Sequence, residues 1–585
     1  MRTSSWRSML RSPLVVIVMI VLVWFVATFL VTPNTTLLIT TFFPDGQLSL
    51  RSMEKLVSSE RALNSLWHSF ALAATLAVTV NIVGIFIVLV TDYFVIRGAR
   101  VLWLGYATTL IYGGIVLAAG YNFIYGRFGF VTNAVRNVFP DIDPDWFSGY
   151  FAVVVVMTLA TTTNHMLFLG SSLAKIDYQT IEAAQNMGAS TLTILWRIVL
   201  PALRPMIFAV TVLTFLTGLS ALTAPLVLGG SDFQTIAPMI LTFSKSTGSQ
   251  DIAALLAIIL GLATIVLLAA MNRVEKSGVY FSVAKVATPL QKQRIGHPLA
   301  NAVVHIAAYV LFVIYAAPVL LIVLFSFLES TAITTGTITW DAFTLGNYAT
   351  VFGSPEVLRP FIVSVVYSAL ASAIVVVGML FVARVFHKHR NPVTTLLEYL
   401  LHIPWILPTI LIALALVMTF DRPNALIGGQ VLTGTTVLLL VAYVIIKIPF
   451  TLRLLKAAFA SVPESLEEAA RILGAGPLHT LRTVLVPLVL PTAAAITALN
   501  FNSLLDDYDA AVFLYHPLYQ PLGLAIRAST EGENNLDAMS ITFVYTVLLM
   551  IIMGFTMYLV YGRAGARRER RRGARLSVGA RLPQK

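Results

Sequence analysis

Asp506, Asp507 and Asp509 set three carboxylates within one short stretch. Such a group raises the local concentration of a cation; the plain alternative is a solvated helix end. Few other polar groups interrupt the long apolar stretches of this sequence, chiefly Asn81, Asn164, His165, His402, Asn500 and Asn502. A polar group inside an apolar span is expensive and tends to face the interior. With Asp506 and Asp507, these six are the candidate solute-pathway residues, although for each lone His or Asn a helix–helix hydrogen bond is the first expectation. Catalytic and metal-ligating constellations are not found. His387 and His389 flank Lys388 in a basic run, a poor metal site, and the absence of cysteine excludes thiolate ligands and disulfides. Lys245-Ser246 and Lys276-Ser277 lack the preceding glycines of a phosphate cradle. ATP, if used, must be handled by a separate protein.

A second pattern is duplicated. The first copy reads Glu182-Ala183-Ala184, then Gly188, then Ile198, Leu200 and Pro201; the second reads Glu468-Ala469-Ala470, then Gly474, then Val484, Val486 and Pro487. Each matched pair is 286 residues apart (468 − 182), as are Ala189 and Ala475, and Pro205 and Pro491. Glu-Ala-Ala favours helix, while the glycine weakens it and permits a sharp turn. The prolines suit the start or a kink of a following helix. The copies differ before the motif, with Asp177 in the place of Pro463 and Ile181 in that of Glu467.

These groups must be carried by helices in lipid. Of 585 residues, 58% are hydrophobic and 11% charged, against about 25% charged in a soluble domain. A bilayer core takes about 20 mostly apolar residues to cross as a helix. Twelve stretches qualify: 13–32, 66–92, 101–120, 150–170, 204–224 and 251–271, then 301–327, 361–384, 396–418, 434–452, 489–506 and 541–561. Backbone groups in lipid must be satisfied within the segment, so the expected fold is an all-α integral membrane protein. The first apolar run, about 20 residues, exceeds the core of a signal peptide and reads as a retained helix.

Basic residues cluster in alternate connections. Arg2, Arg7 and Arg11 precede the first span, Arg97 and Arg100 follow the second, and Arg273, Lys276, Lys285, Lys292 and Arg294 fill the connection after the sixth. Arg384, His387, Lys388, His389 and Arg390 close the eighth, and an arginine-rich tail follows the twelfth. All fall on one side after twelve crossings, which predicts cytoplasmic termini. The net charge of +12 therefore needs no nucleic-acid partner, although the tail can touch anionic lipid. Lys447, near Arg453 and Lys456, is expected to snorkel to the same interface. The organisation is a six-span half (1–271), a linker (272–300), a second six-span half (301–562) and a basic tail (563–585). Six being even, the halves are parallel repeats.

The motif spacing resembles the cytoplasmic signature of permeases of binding-protein-dependent ABC importers. Two copies in one chain resemble the fused permeases of the ferric-iron, thiamine, polyamine and phosphonate group. The segment Phe343-Thr344-Leu345-Gly346-Asn347-Tyr348 is similar to the lead-in such permeases carry. The resemblance implies about 12 transmembrane helices in two parallel six-helix repeats, in a bacterial cytoplasmic (inner) membrane. It implies coupling helices seated on two copies of an ABC ATPase subunit, with Glu182 and Glu468 anchoring by charge-assisted hydrogen bonds or helix capping, and Gly188 and Gly474 making the turn. An extracytoplasmic solute-binding protein would deliver the cargo, ferric iron first, with thiamine, polyamines and phosphonates open. No cofactor is expected on this chain, ATP residing on the partner. A gradient-driven transporter explains the spans but not the duplicated motif; a membrane enzyme lacks its acid, base or metal.

Overall fold

Among the described residues, ten helices are long and apolar enough to cross a bilayer, and two further helix pairs meet at sharp bends. The computed structural model describes residues 13–559 except 45, 111–113, 128, 247, 278–289, 336–337 and 532–535. The tail 563–585, Arg2, Arg7, Arg11, Lys285 and most of the linker lie outside the described residues.

The first half comprises α1 (Val15–Phe42), α2 (Glu60–Tyr93), the bent pair α3 (Ala99–Thr109) and α4 (Gly114–Val138), and α5 (Gly149–Leu173). A short helix α6 (Tyr178–Asn186) precedes α7 (Thr191–Leu219), α8 (Ile236–Ser244) and α9 (Gln250–Met271). The second half repeats the series as α10 (Pro298–Phe325), α11 (Pro355–Lys388), the bent pair α12 (Pro392–Ile406) and α13 (Thr409–Phe420), and α14 (Thr436–Ala460). It ends with α15 (Glu464–Ile472), α16 (Leu478–Leu505), α17 (Leu522–Glu531) and α18 (Ala538–Met557).

The repeat extends well beyond the motif. Both ends of α6 and α15 differ by 286, as do the C-terminal ends of α7 and α16. A π-helical turn recurs at Leu195–Val199 and Leu481–Leu485. Pro201 and Pro487 account for it: each lacks an N–H and crowds the carbonyl four residues back, which widens the preceding turn. A hydrogen bond recurs as well. Ser69 Oγ accepts the N–H of Ile236 at 2.7 Å, and Ser364 Oγ that of Leu522 at 2.8 Å. The serines are 295 apart and their donors 286, so the first half carries nine more residues (295 − 286) between them.

Two expected spans differ from straight crossings. The stretch 101–120 is broken between α3 and α4, which meet at 104°, and 396–418 between α12 and α13, which meet at 109°. Gly114 opens α4 at φ +53. Leu407 is extended at φ −86, ψ 136 because Pro408 follows it.

The halves interlock. Met19, Leu22, Val26, Phe29 and Leu30 of α1 are buried in the core of the second half, where Phe29 lies 5.4 Å from Phe420 and Trp24 Nε1 donates to the Leu426 carbonyl at 3.0 Å. In exchange, α10 packs on the first half. Tyr106 donates to the Ala308 carbonyl at 2.7 Å, and Thr162 and Tyr315 share a hydrogen bond at 2.5 Å. Each opening span thus lies on the half it does not belong to in sequence.

Candidate functional site

Both motif copies make the same turn. In the first, the carboxylate of Asp177 caps α6 by accepting the N–H of Gln179 at 3.1 Å. Ile181 and Ala184 are buried, while Glu182 and Ala183 face outward. Gly188 at φ +83 and Gly474 at φ +82 reverse the chain in the left-handed region. The reversal lets Ala189 N–H reach Ala184 O, and Ala475 N–H reach Ala470 O, each at 3.0 Å. Glu468 and Ala469 are exposed like their counterparts. Helix capping therefore belongs to Asp177 and not to Glu182, which sits in the middle of α6. Pro201 and Pro487 stand at the first positions after the π-turns. Just before each glycine a large apolar side chain is thrust into solvent, Met187 at 82% exposure and Leu473 at 86%. The apolar tip stands at the same place in both repeats.

The two turns are seated by different chemistry. Glu467 pairs with Arg384 Nη2 at 2.5 Å. The corresponding first-half positions are Ile181 and Leu89, which belong to an apolar cluster with Leu173, Ile194 and Val199. Burial, with Lys388 and Arg384 beside it, holds the His389 imidazole below its usual value, so it adds little to the basic cluster after α11.

Between the halves lies a cavity of about 390 Å³, lined by Thr109, Gly114 and Thr223 of the first half and by Asn502, Ser503, Asp506, Asp507 and Asp509 of the second. Asp507 Oδ2 accepts the N–H groups of Ala510 and Ala511 at 3.2 Å each, and Tyr443 donates to the same carboxylate. Thr223 Oγ1 donates to Asp509 Oδ1 at 2.9 Å across 286 residues. That separation equals the repeat offset, so the bonded partners are equivalent positions. Only groups beside the axis relating the halves can meet in this way.

Lys447 differs from its expected place at the cytoplasmic interface. Its ammonium donates to Ser503 Oγ on the cavity wall at 2.6 Å and is attracted by Asp507 and Asp506. The Ser503 bond and the attraction of two carboxylates explain the inward orientation better than snorkelling does.

Of the residues expected on a solute path, the structure brings Asn502, Asp506 and Asp507 to this cavity. The remainder lie elsewhere. Asn81 donates to Thr211 Oγ1 at 2.8 Å and bonds His165 Nε2 at 3.1 Å, where His165 is packed so closely on Gly84 that an added Cβ would lie 2.4 Å from its ring. Asn500 donates to Thr451 Oγ1 at 2.8 Å. His402 bonds the Glu398 carbonyl of its own helix at 2.7 Å, and Asn164 is half-buried in α5. Helix–helix bonding, rather than solute contact, thus accounts for Asn81, His165 and Asn500. Asn81→Ala is expected to lower stability by about 1 kcal/mol and leave transport affinity unchanged, as thermal unfolding in detergent and uptake titration would measure. Thr223, Ser503 and Lys447 were not anticipated. Thr223 could have been found by subtracting the repeat offset from Asp509.

A family model described as a binding-protein-dependent transport system inner membrane component matches residues 374–570, which hold the second motif copy. A probable ABC transporter permease protein of Sinorhizobium fredii (strain NBRC 101917 / NGR234) is 40% identical over 533 residues, covering 91% of this chain and 93% of that one. A ferric transport system permease protein of Actinobacillus pleuropneumoniae is 22% identical over 498 residues, 83% of this chain and 69% of its own. A putative 2-aminoethylphosphonate transport system permease protein of Salmonella paratyphi A (strain ATCC 9150 / SARB42) is 26% identical over 157 residues, 27% of this chain and 57% of its own.

Proposed function

We propose, from the premise that the chain belongs to the ABC transporter permeases, that it carries both permease halves of an importer whose cargo is ferric iron. The observation that carries the coupling part is the pair of identical glycine turns, each presenting an exposed Glu-Ala-Ala face and an apolar tip. In this reading Glu182, Ala183, Ala184, Gly188 and Pro201, with Glu468, Ala469, Ala470, Gly474 and Pro487, dock two copies of a separate ATPase subunit. ATP stays on that partner, and no residue of this chain does covalent chemistry. The division into 1–271, 272–300, 301–562 and 563–585, with cytoplasmic termini in a bacterial inner membrane, belongs to the same proposal.

The cycle is alternating access. ATP binding draws the two turns together and rocks the halves about the axis beside Thr223 and Asp509. An extracytoplasmic binding protein then releases cargo into the cavity, and hydrolysis resets the inward-facing state. Nucleotide need only bind one global state better than the other. Three carboxylates against one ammonium favour a cation in the cavity over an anionic phosphonate. The similarity to a ferric transport system permease supports iron among cations. Family membership leaves a gradient-driven transporter without support.

The test is to extract the tagged chain gently and identify co-purifying proteins by mass, with wild type and Glu182→Ala/Glu468→Ala in parallel. An ATPase subunit is expected with the wild type and about tenfold less with the variant. A wild-type sample lacking it under conditions that preserve known complexes would sink the coupling role. The binding protein recovered is expected to take up ferric iron; thiamine or polyamine binding would reassign the cargo.

A further inference from the structure

Gln293 is a buried polar residue in the last part of the linker, 5% exposed, and its bonds run to both sides. Its backbone pairs in parallel with the end of α2: Gln293 N–H donates to Tyr93 O at 2.7 Å, and Val95 N–H donates to Gln293 O at 2.9 Å. Its side-chain Oε1 accepts from Gln185 Nε2 of α6 at 2.5 Å. Lys292 Nζ donates to Thr91 O at 2.5 Å, and Thr191, just past the Gly188 turn, donates to Arg294 O at 3.2 Å. The π-turn Leu89–Tyr93 ends α2, where terminal carbonyls need partners from outside the helix. Residues 292–293 supply them. The chain then enters α10, whose Tyr309 hydroxyl donates to Arg97 O at 2.8 Å just beyond the same segment.

The other turn has no such seat among the described residues. There α15 is tied directly to α11 through Glu467 and Arg384, whereas Ile181 offers α6 no polar anchor at that position. The linker end makes up the difference from outside the half.

We propose that residues 290–296 are a strap that makes the first coupling turn, the end of α2 and the base of α10 move as one body, with Gln293 as the positioning residue. The inference rests on the ATPase-coupling role assigned to α6. The strap carries the push of the ATPase on α6 into α10, a helix that belongs in sequence to the opposite half. Gln293 thus sets how fully nucleotide binding is converted into opening of the cavity.

The cysteine-free chain makes the test direct. Leu499, on the cavity wall, is changed to Cys, and its labelling by a membrane-impermeant maleimide is followed in the complex with the ATPase, with and without a non-hydrolysable ATP analogue. In this parent the analogue is expected to change the labelling rate. Adding Gln293→Ala is expected to leave the ATPase bound and reduce that response at least about fivefold. Gln293→Glu, which keeps the acceptor facing Gln185, is expected to restore it. An unchanged response in Gln293→Ala with ATPase bound overturns the strap. Absence of the ATPase, or of a nucleotide response, in the parent overturns the coupling role beneath it. If Gln293→Ala fails to accumulate, Gln185→Cys/Gln293→Cys is cross-linked instead. A response that survives cross-linking supports one body; a response abolished by it overturns the proposal.

Discussion

Replacing Gly188 and Gly474 together by valine is expected to abolish import while the chain still inserts and folds. A Cβ at either position would meet no atom within 4 Å, so the substitution creates no clash with neighbouring groups. The cost lies in the backbone, which stands at φ +83 and +82. Left-handed geometry costs an L-residue about 1–2 kcal/mol, more for a β-branched side chain. Two turns together approach about 3 kcal/mol, enough to depopulate the paired geometry roughly a hundredfold. Gly188→Asn/Gly474→Asn is the control, because asparagine tolerates the left-handed region. The measurements are uptake and the amount of ATPase subunit retained per permease. Equal loss in the valine and asparagine variants would mean that the turns matter for something other than their conformation.

Lys447→Met is expected to lower stability. Removing the ammonium takes away its bond to Ser503 and leaves the half-buried Asp506 and Asp507 without a compensating cation, at about 1–3 kcal/mol. Asp506 and Asp507 would then share the cavity wall with Asp509 and no cation. Thermal unfolding in detergent should register the loss, and Lys447→Met/Asp507→Asn should recover part of it, with the coupling read from the double-mutant cycle. A lysine snorkelling at the membrane surface would give a change within about 0.5 kcal/mol. That result would return Lys447 to the place its sequence neighbours Arg453 and Lys456 suggest.

The turns were legible because their constraint is local. Glycine at a reversal and proline at a helix start impose backbone geometry wherever they occur, and the offset of 286 told the same story twice. The spans were legible by length and apolarity, but not their breaks. Pro408 carried a signal for the break after α12, since it forces Leu407 out of helix, yet the apolar run continues through it. The cavity was half legible. Three aspartates marked it, while Lys447 was drawn toward the wrong surface by its basic neighbours. Its true partners lie on α16 and beyond, a distance no helical periodicity spans. The interlocking of α1 and α10 was invisible for the same reason, since an apolar stripe does not record which half covers it.

That interlocking sets an order of events at the ribosome. When residue 271 has been made, the first six spans are complete in sequence, but Tyr106 and Thr162 still lack Ala308 and Tyr315. Meanwhile α1 waits in lipid for Phe420 and Leu426, which are synthesised about four hundred residues after Phe29 and Trp24. The half-made permease is therefore an open intermediate until the chain has passed Leu426, exposed to membrane proteases and to pairing with the wrong chain. Carrying both halves on one polypeptide guarantees that the helix needed to close each of them is present in equal number at the same insertion site.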